Sequence, residues 1–225
     1  MKRILTLTTL TLITLSSCHR YYTSNTFDAK TSQHKNIAVM PPKMLLTGNQ
    51  PKNYSAYDIE LMEEKESKLF QEALFNNLLS KGNTGKYSLD VNIQPCANTL
   101  ALLEKNNISL RQSWEKDDEE LAKILGVDAI VRMSVQKQRY MSDLASAGIY
   151  AGRKIADAIL NRGPVVTGNL NKTADVIATC TLVSNGQTLW NDSYRRDSDF
   201  NSPANEVIER ITGNFAKHFP YRRKA

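Results

Sequence analysis

Few residues in this sequence have the types and spacing that catalysis requires. Three histidines could act as acids or bases: His19 and His34 fall in a polar N-terminal stretch, and His218 falls near the C-terminus. No histidine is therefore expected where the strands of an α/β sheet end and ligands bind. The chain also has no Gly-x-Ser-x-Gly turn, no HExxH motif and no cysteine pair at zinc-ligand spacing. The sequence predicts a protein that is not an enzyme and that needs neither a metal nor a cofactor.

Two further stretches could support chemistry, and both have a simpler interpretation. Four carboxylates follow one another over 117–120, where a metal or an acid-base pair is conceivable. They precede an apolar helical pattern, so favourable interaction with the helix dipole is the preferred explanation. Residues 82–86 (GNTGK) partly match a phosphate-binding loop. That motif needs a Gly where Ser80 stands and a Ser or Thr where Tyr87 stands, and it needs a strand before the loop and not after it.

The N-terminus carries a different kind of chemistry, because residues 1–18 (MKRILTLTTLTLITLSSC) resemble a bacterial lipoprotein signal. The stretch has a basic start, an apolar segment over 4–15 and two serines before Cys18. The resemblance implies that residues 1–17 are removed and that Cys18 carries acyl chains such as palmitate, which anchor the protein to a bilayer. The alternative is an ordinary secretory signal in which Cys18 is incidental.

The residues after Cys18 bear on the membrane that holds the anchor. His19 stands where related lipoproteins retained in the inner membrane have Asp, and no acidic cluster of the kind that marks surface export follows. The sequence therefore predicts an outer-membrane lipoprotein on the periplasmic face. Residues 18–34 are polar and lack apolar periodicity, which predicts a lipidated flexible tether.

Net charge excludes little, and it does not indicate nucleic-acid binding. The formal charge of the 225-residue chain is +6, and it falls to +4 without Lys2 and Arg3. Residues 220–225 form a basic tail, which could contact anionic headgroups or, as the preferred interpretation, be a solvated end. Cys96 and Cys180 could form a disulfide in an oxidising compartment, but two buried thiols are the preferred expectation.

Apolar periodicity predicts a single α/β domain over 35–219, with a mixed five-stranded sheet packed by helices in the order β-α-β-α-β-β-β-α. An Asn-Gly pair at 185–186 predicts a tight hairpin between the last two strands. The predicted strands cover 36–40, 87–93, 128–140, 174–183 and 188–194, and the predicted helices cover 57–80, 100–125 as one helix or two, and 203–218.

Three motifs resemble one group of envelope proteins. They are Ile37-Ala38-Val39-Met40-Pro41-Pro42, the Leu121–Val131 stretch LAKILGVDAIV, and the hairpin that ends in Thr188-Leu189-Trp190. The pattern resembles that of the lipoproteins related to the curli-secretion protein CsgG, the TolB N-terminal domain (an anticodon-binding-like fold) and the lipoprotein activators of penicillin-binding proteins. These motifs belong to a fold and not to an active site, so the resemblance implies an architecture and a binding or assembly role.

The sequence departs from that group between its third and fourth strands. In the curli channel this region builds membrane-spanning strands, which need about 9 to 11 alternating residues each. Residues 142–161 instead have apolar and small residues at helical spacing and predict a helical insertion. Its role is either contact with a partner or a second copy, or simple cover for the sheet; Arg153 and Lys154 could alternatively face headgroups. The predicted contact residues are Leu144, Ala147, Ala151, Ile155 and Ile159.

Taken together, the lipoprotein signal, the fold motifs and the lack of catalytic groupings predict a non-enzymatic envelope protein. The expected partners are the membrane, through the anchor, and an envelope protein or a homo-oligomer; no nucleic-acid partner is expected. Two alternatives from other functional classes stay open at this point. One is an oligomeric secretion-channel component of the CsgG type, and the other is an activator of a cell-wall synthase.

Overall fold

A computed structural model describes residues 21–49, 54–139, 174–198 and 204–224, and these form a mixed α/β fold. The helices are α1 (Phe27–Thr31), α2 (Ala56–Gly82), α3 (Cys96–Lys105), α4 (Leu110–Glu115), α5 (Asp118–Leu125) and α6 (Ala204–His218). The strands are β1 (Tyr22–Thr23), β2 (Asn36–Val39), β3 (Lys43–Gly48), β4 (Tyr87–Leu89), β5 (Asn92–Gln94), β6 (Ala129–Arg139), β7 (Ala174–Ser184), β8 (Gln187–Ser198) and β9 (Arg222–Lys224).

The main sheet is mixed and has the order β1-β8-β7-β6-β2-β5, with β3 also paired to β6. Strands β2, β3 and β5 run parallel to their neighbours, whereas β6, β7 and β8 form an antiparallel meander whose outer strand pairs with β1. The mixed sheet was predicted, but within the described residues it has seven strands where five were expected, and β4 and β9 form a second sheet of two strands. The extra strands escaped prediction because β1 has two residues and β3 directly follows two prolines.

Pro41 and Pro42 separate two consecutive strands, β2 and β3, that both pair in parallel with β6. Strand β2 pairs with the start of β6 and β3 with its end, and Pro41 and Pro42 have no N–H to continue the ladder between them. Two side chains of α2 satisfy carbonyls at the interruption: Gln71 Nε2 donates to the carbonyl oxygen of Val39 at 2.8 Å, and Ser67 Oγ donates to that of Pro42 at 2.7 Å. The long helix is thereby fixed to the break in the sheet.

Local sequence explains where the helices and the hairpin begin and end. Ser55 and Asp58 form a capping box at the start of α2. Asp117 accepts the N–H groups of residues 119 and 120, and Gly126 ends α5 in the left-handed conformation at φ +67°. The predicted hairpin turn is confirmed, because Asn185 and Gly186 both have positive φ, 48° and 67°, as a type I′ turn requires.

Apolar side chains are buried on both faces of the sheet. On one face Phe70, Leu74 and Leu78, spaced four residues apart on α2, pack with α6 and the meander in the larger core. On the other face the smaller core joins β2 and β6 to α3 and α5. Its buried members are Ala38, Met40, Leu103, Leu121, Leu125, Ile130 and Val183.

Most of the predicted tether over 18–34 differs from the expectation. Residues 21–34 are folded: β1 pairs with β8, and α1 buries Phe27 to 5% exposure against Tyr221, with ring centroids 5.5 Å apart. One buried aromatic in a five-residue helix creates no periodicity that a sequence pattern could detect. Residues 18–20 of the predicted tether lie outside the described residues.

Residues 220–224 of the predicted basic tail over 220–225 are also part of the fold. Tyr221 is 2% exposed in the larger core, and β9 pairs antiparallel with β4. This segment could not be predicted to be folded from its sequence, because Tyr221 is the one buried residue of 220–224 and basic residues follow it. The signal over 1–17 and the predicted helical insertion near 142–161 lie outside the described residues.

Candidate functional site

None of the residues that the sequence analysis selected for function falls in the described part of the chain. Cys18 precedes residue 21, and the predicted contact residues Leu144, Ala147, Ala151, Ile155 and Ile159 lie between 139 and 174. Both assignments stay predictions. The structure instead brings together three groups of polar side chains that were not predicted, and each allows a chemical interpretation.

The first group surrounds His34, which the sequence assigned to a solvated tether. Its Nδ1 lies 2.5 Å from the Tyr221 hydroxyl oxygen, and its Nε2 lies 3.3 Å from Ser184 Oγ. The Ser184 hydroxyl donates to the carbonyl oxygen of Asp128 at 2.8 Å, so His34 donates from Nε2 and accepts from Tyr221 at Nδ1. No local pattern could have identified this cluster, because its members come from both ends of the chain and from the hairpin.

Ionisation in this cluster follows burial and backbone hydrogen bonds. Burial lowers the pKa of His34, and the nearby Asp128 carboxylate opposes that effect. Burial also raises the pKa of Tyr221. For Asp128 itself burial opposes ionisation, but the N–H groups of Asn36 and Lys35 donate to its carboxylate at 2.9 and 2.7 Å and lower its pKa. The neutral imidazole and the charged carboxylate are therefore the stable forms near neutral pH.

The Ser184–His34 contact does not have the geometry of an activated nucleophile. In such a pair the serine donates its proton to the imidazole. Here the serine donates to a backbone carbonyl, and Ser184 is only 6% exposed. The cluster instead joins the N-terminal segment, the hairpin end and the C-terminal segment through hydrogen bonds.

The second group contains His218 of α6 and Asp192 of β8. Its Nδ1 lies 3.1 Å from Oδ2 of the fully buried Asp192, and the ring of Tyr21 stacks on the imidazole with centroids 5.5 Å apart. This contact holds Tyr21 against the C-terminal end of α6.

The third group is centred on Arg132 of β6, which holds the loop between α4 and α5. The guanidinium pairs with Asp118 and donates to three carbonyl oxygens, those of Ser113, Trp114 and Lys116, at 2.8, 3.2 and 2.5 Å. A cleft of about 150 Å³ adjoins this loop and the sheet. Because ligand pockets for drug-sized molecules measure roughly 300 to 1,000 Å³, the cleft has room for little more than one side chain or a few waters.

Helices α2 and α6 cover one face of the β6–β7–β8 meander. The opposite face carries mainly polar side chains. Alternation along β3 and β7 places Leu45 and Ile177 on this face, with exposures of 39% and 36%. Ser134, Gln136 and Thr179 lie between them. Leu45 and Ile177 are thus two half-exposed apolar side chains within a polar sheet face.

Across 21–49, 54–139, 174–198 and 204–224, no three His, Cys, Asp or Glu side chains are grouped as a metal ion would require. In the same parts of the chain no helix combines the length and apolar character needed to cross a bilayer.

Comparison with known proteins yields similar structures but no family. No family model matches the chain, and no curated protein matches it. The lipoprotein GNA1162 from Neisseria meningitidis is 16% identical with a TM-score of 0.44, and the alignment covers 82% of this chain and 96% of that one. The PelC dodecamer from Paraburkholderia phytofirmans is 12% identical with a TM-score of 0.41, covering 88% and 93%.

A third similar structure is the C-terminal domain of LpoB from Salmonella enterica, which is 10% identical with a TM-score of 0.34 and coverage of 73% and 84%. The similar structures thus include a lipoprotein. The more specific resemblance to the CsgG-related lipoproteins stays a prediction.

Proposed function

We propose that this protein is a lipoprotein of the outer membrane, anchored through Cys18 on the periplasmic face, that acts without catalysis as a binding or assembly component of the cell envelope. The observation that carries the proposal is the sequence Leu15-Ser16-Ser17-Cys18 after a basic and apolar start. Removal of a signal of this kind leaves the acylated cysteine as the first residue of the mature protein, and more than one acyl chain is needed for stable anchoring.

The described residues support a role in binding more than one in catalysis. The Ser184 hydroxyl donates to a backbone carbonyl and not to His34, as an activated nucleophile would. The guanidinium of Arg132 donates to backbone carbonyls at Ser113 and Lys116. Among the apolar side chains that are exposed in the described residues are Leu45 and Ile177, on the polar sheet face. A partner protein or a second copy bound there would bury both apolar side chains.

The anchor is tested by the mass of the mature protein and by its location. Intact-mass analysis of membrane-extracted protein should show loss of residues 1–17 and the added mass of acyl chains on Cys18. Separation of inner and outer membranes on a density gradient should place the protein with the outer membrane. A Cys18→Ala variant should stay unprocessed and lose the added mass. A wild-type protein that lacks acyl chains would refute the anchor.

The assembly role is tested by the native mass of the lipidated protein in mild detergent. A closed oligomer would favour self-assembly, including the channel-like alternative, and a monomer would favour an adaptor for another envelope protein. The predicted contact residues over 142–161 enter the same test. An Ala151→Arg variant should lower the native mass if they lie between copies, whereas an unchanged mass would exclude them from that contact.

A further inference from the structure

The position of Tyr21 has a geometric consequence for the anchor. Tyr21 stacks on His218, and only two residues separate Tyr21 from Cys18. Three residue steps extend at most about 10 Å, at ~3.5 Å per residue. An acylated Cys18 therefore holds the bilayer surface within about 10 Å of Tyr21. A long flexible tether, as predicted from sequence, would have allowed the domain to stand away from the membrane in any orientation.

The same end of the molecule carries a group of basic side chains. Arg222 connects the C-terminal ends of two helices: its Nε donates to the carbonyl oxygen of Lys81 at the end of α2, and its Nη1 donates to that of Lys217 at the end of α6, both at 3.0 Å. Its guanidinium carbon lies 3.7 Å from the centroid of the Tyr87 ring. Two exposed lysines, Lys86 and Lys224, lie beside it, the first adjacent to Tyr87 and the second paired with Tyr87 across β4 and β9.

These basic groups are close together and lack direct acidic partners. Burial and the charge of Lys217 lower the pKa of Lys81, whereas Glu209 opposes the effect. In the described ranges no carboxylate forms an ion pair with Lys81, Lys86, Lys217 or Arg222. Arg223 is different, because Asp28 and Asp90 neutralise it at 2.7 and 2.9 Å. A net positive surface thus remains beside the point of attachment.

Two exposed tyrosines lie close in sequence to the proposed anchor at Cys18. Tyr21 and Tyr22 are 50% and 55% exposed, although both belong to the folded part of the chain. Tyrosine is enriched at membrane–water interfaces, where its ring contacts the apolar boundary and its hydroxyl stays hydrated. An exposed tyrosine pair three and four residues after an acylated cysteine has this character.

We propose that the surface formed by Tyr21, Tyr22, Lys86, Lys217, Arg222 and Lys224, here named the anchor-side surface, docks on anionic lipid headgroups, so that the C-terminal ends of α2 and α6 face the bilayer. This inference rests on the proposed anchor at Cys18. The domain is then held in one orientation, and the start of α2 is directed into the periplasm. A helix of 27 residues is about 40 Å long, so its first turn lies far above the membrane.

Depth-dependent fluorescence quenching tests the orientation on the full-length, acylated protein in phosphatidylcholine vesicles that contain phosphatidylglycerol. One variant carries a fluorophore on the anchor-side surface, through Lys224→Cys. The matched control carries it at the start of α2, through Tyr57→Cys, where the native residue is 71% exposed. Cys96 and Cys180 are buried and should not be labelled. A quencher attached to the lipid headgroup is expected to quench the label at 224 and to leave the label at 57 unquenched.

The contribution of the basic side chains to docking is tested in the protein labelled at residue 224. Near an anionic surface each basic side chain favours the docked state about fivefold, so replacing Lys86 and Lys217 by Gln should lower the ratio of docked to undocked protein roughly 25-fold. The matched control replaces two exposed lysines in the middle of α2, Lys65 and Lys68, by Gln and should change nothing. High salt should act like the first double variant.

The outcomes separate this inference from the proposed function. Intact mass is measured on the same sample: an unacylated Cys18 would refute the anchor, whatever the quenching shows. With Cys18 acylated, equal quenching at 57 and 224 would overturn the fixed orientation alone. Equal quenching at 224 in vesicles of phosphatidylcholine only, or an unaffected Lys86→Gln/Lys217→Gln variant, would overturn the role of anionic headgroups. Strong quenching at 224 that needs both the lysines and the anionic lipid supports the docking surface.

Discussion

The imidazole Nδ1 of His34 lies 2.5 Å from the hydroxyl oxygen of Tyr221, across 187 residues of sequence. Each of these residues belongs to a segment that the sequence assigned to a flexible end, the tether in one case and the basic tail in the other. Their contact closes the two ends of the chain on each other next to the hairpin. The contact therefore joins an N-terminal and a C-terminal segment of the fold, and this has consequences that can be measured.

The free energy of unfolding should depend on pH through His34. Burial lowers its pKa in the folded state, with Asp128 opposing and Tyr221 and Ser184 occupying the two ring nitrogens. The unfolded state, with a pKa near 6.5, then binds the proton more readily, so stability is constant above about pH 6.5 and falls as the pH drops below that value. The slope from one group is at most about 1.4 kcal/mol per pH unit.

Urea unfolding of the wild type and of a His34→Gln variant between pH 5 and pH 8 measures this contribution. Glutamine cannot be protonated, so the variant should lose the part of the slope that belongs to His34. Groups that do not contact His34 are unchanged by the substitution, so their contributions cancel in the difference. Parallel pH profiles for the two proteins would contradict the predicted pKa direction.

Gly82 should not tolerate a larger residue, although Gly85 three positions later should. A Cβ atom at 82 would lie 2.5 Å from Cγ of Leu89, which packs against the larger core. Overpacking of this kind typically costs about 1 to 3 kcal/mol. A Cβ at 85 would meet no atom within 4 Å, so Gly85→Ala should change the free energy of unfolding by less than about 0.5 kcal/mol. Equal midpoints in urea for the two variants would show that Leu89 moves without cost.

Sequence patterns could predict the regular elements because each depends on nearby residues. The helix over 57–80, observed as Ala56–Gly82, follows from apolar spacing and a capping box, and the hairpin follows from Asn185-Gly186. Strand β3 could not be found in this way, since its pairing with β6 depends on a parallel register set by β2 across two prolines.

The candidate clusters were beyond prediction for a different physical reason. His34, Ser184 and Tyr221 are single polar residues that become a group only when both ends of the chain reach the hairpin. A lone histidine next to a strand carries no signal of its partners. The same holds for the anchor-side surface, because Arg222 joins the ends of two helices that are more than a hundred residues apart in sequence.

The Arg132 contacts should contribute strongly to stability. Replacing Arg132 by Lys keeps the charge but loses the planar fork that reaches the carbonyls of Ser113, Trp114 and Lys116. Hydrogen bonds to charged groups contribute roughly 1.5 to 3 kcal/mol each, so a loss of about 2 kcal/mol or more is expected. The control, Arg210→Lys, alters an exposed pair with Glu206 on α6 and should cost less than about 0.5 kcal/mol. Hydrogen exchange over 113–117 should quicken in the Arg132 variant only, and unchanged exchange there would contradict the loop-holding role.

The two cysteines of the folded domain should be unreactive thiols until the protein unfolds. Cys96 and Cys180 are buried and unpaired, and burial raises the pKa of both, to about 11 for Cys96. The reactive species is the thiolate, so both low access and low ionisation suppress alkylation at pH 8. Mass spectrometry after iodoacetamide treatment should show no addition to either residue in native protein and addition to both in urea without any reductant. Alkylation in urea that appears only after reduction would reveal a disulfide and contradict the separate burial of the two thiols.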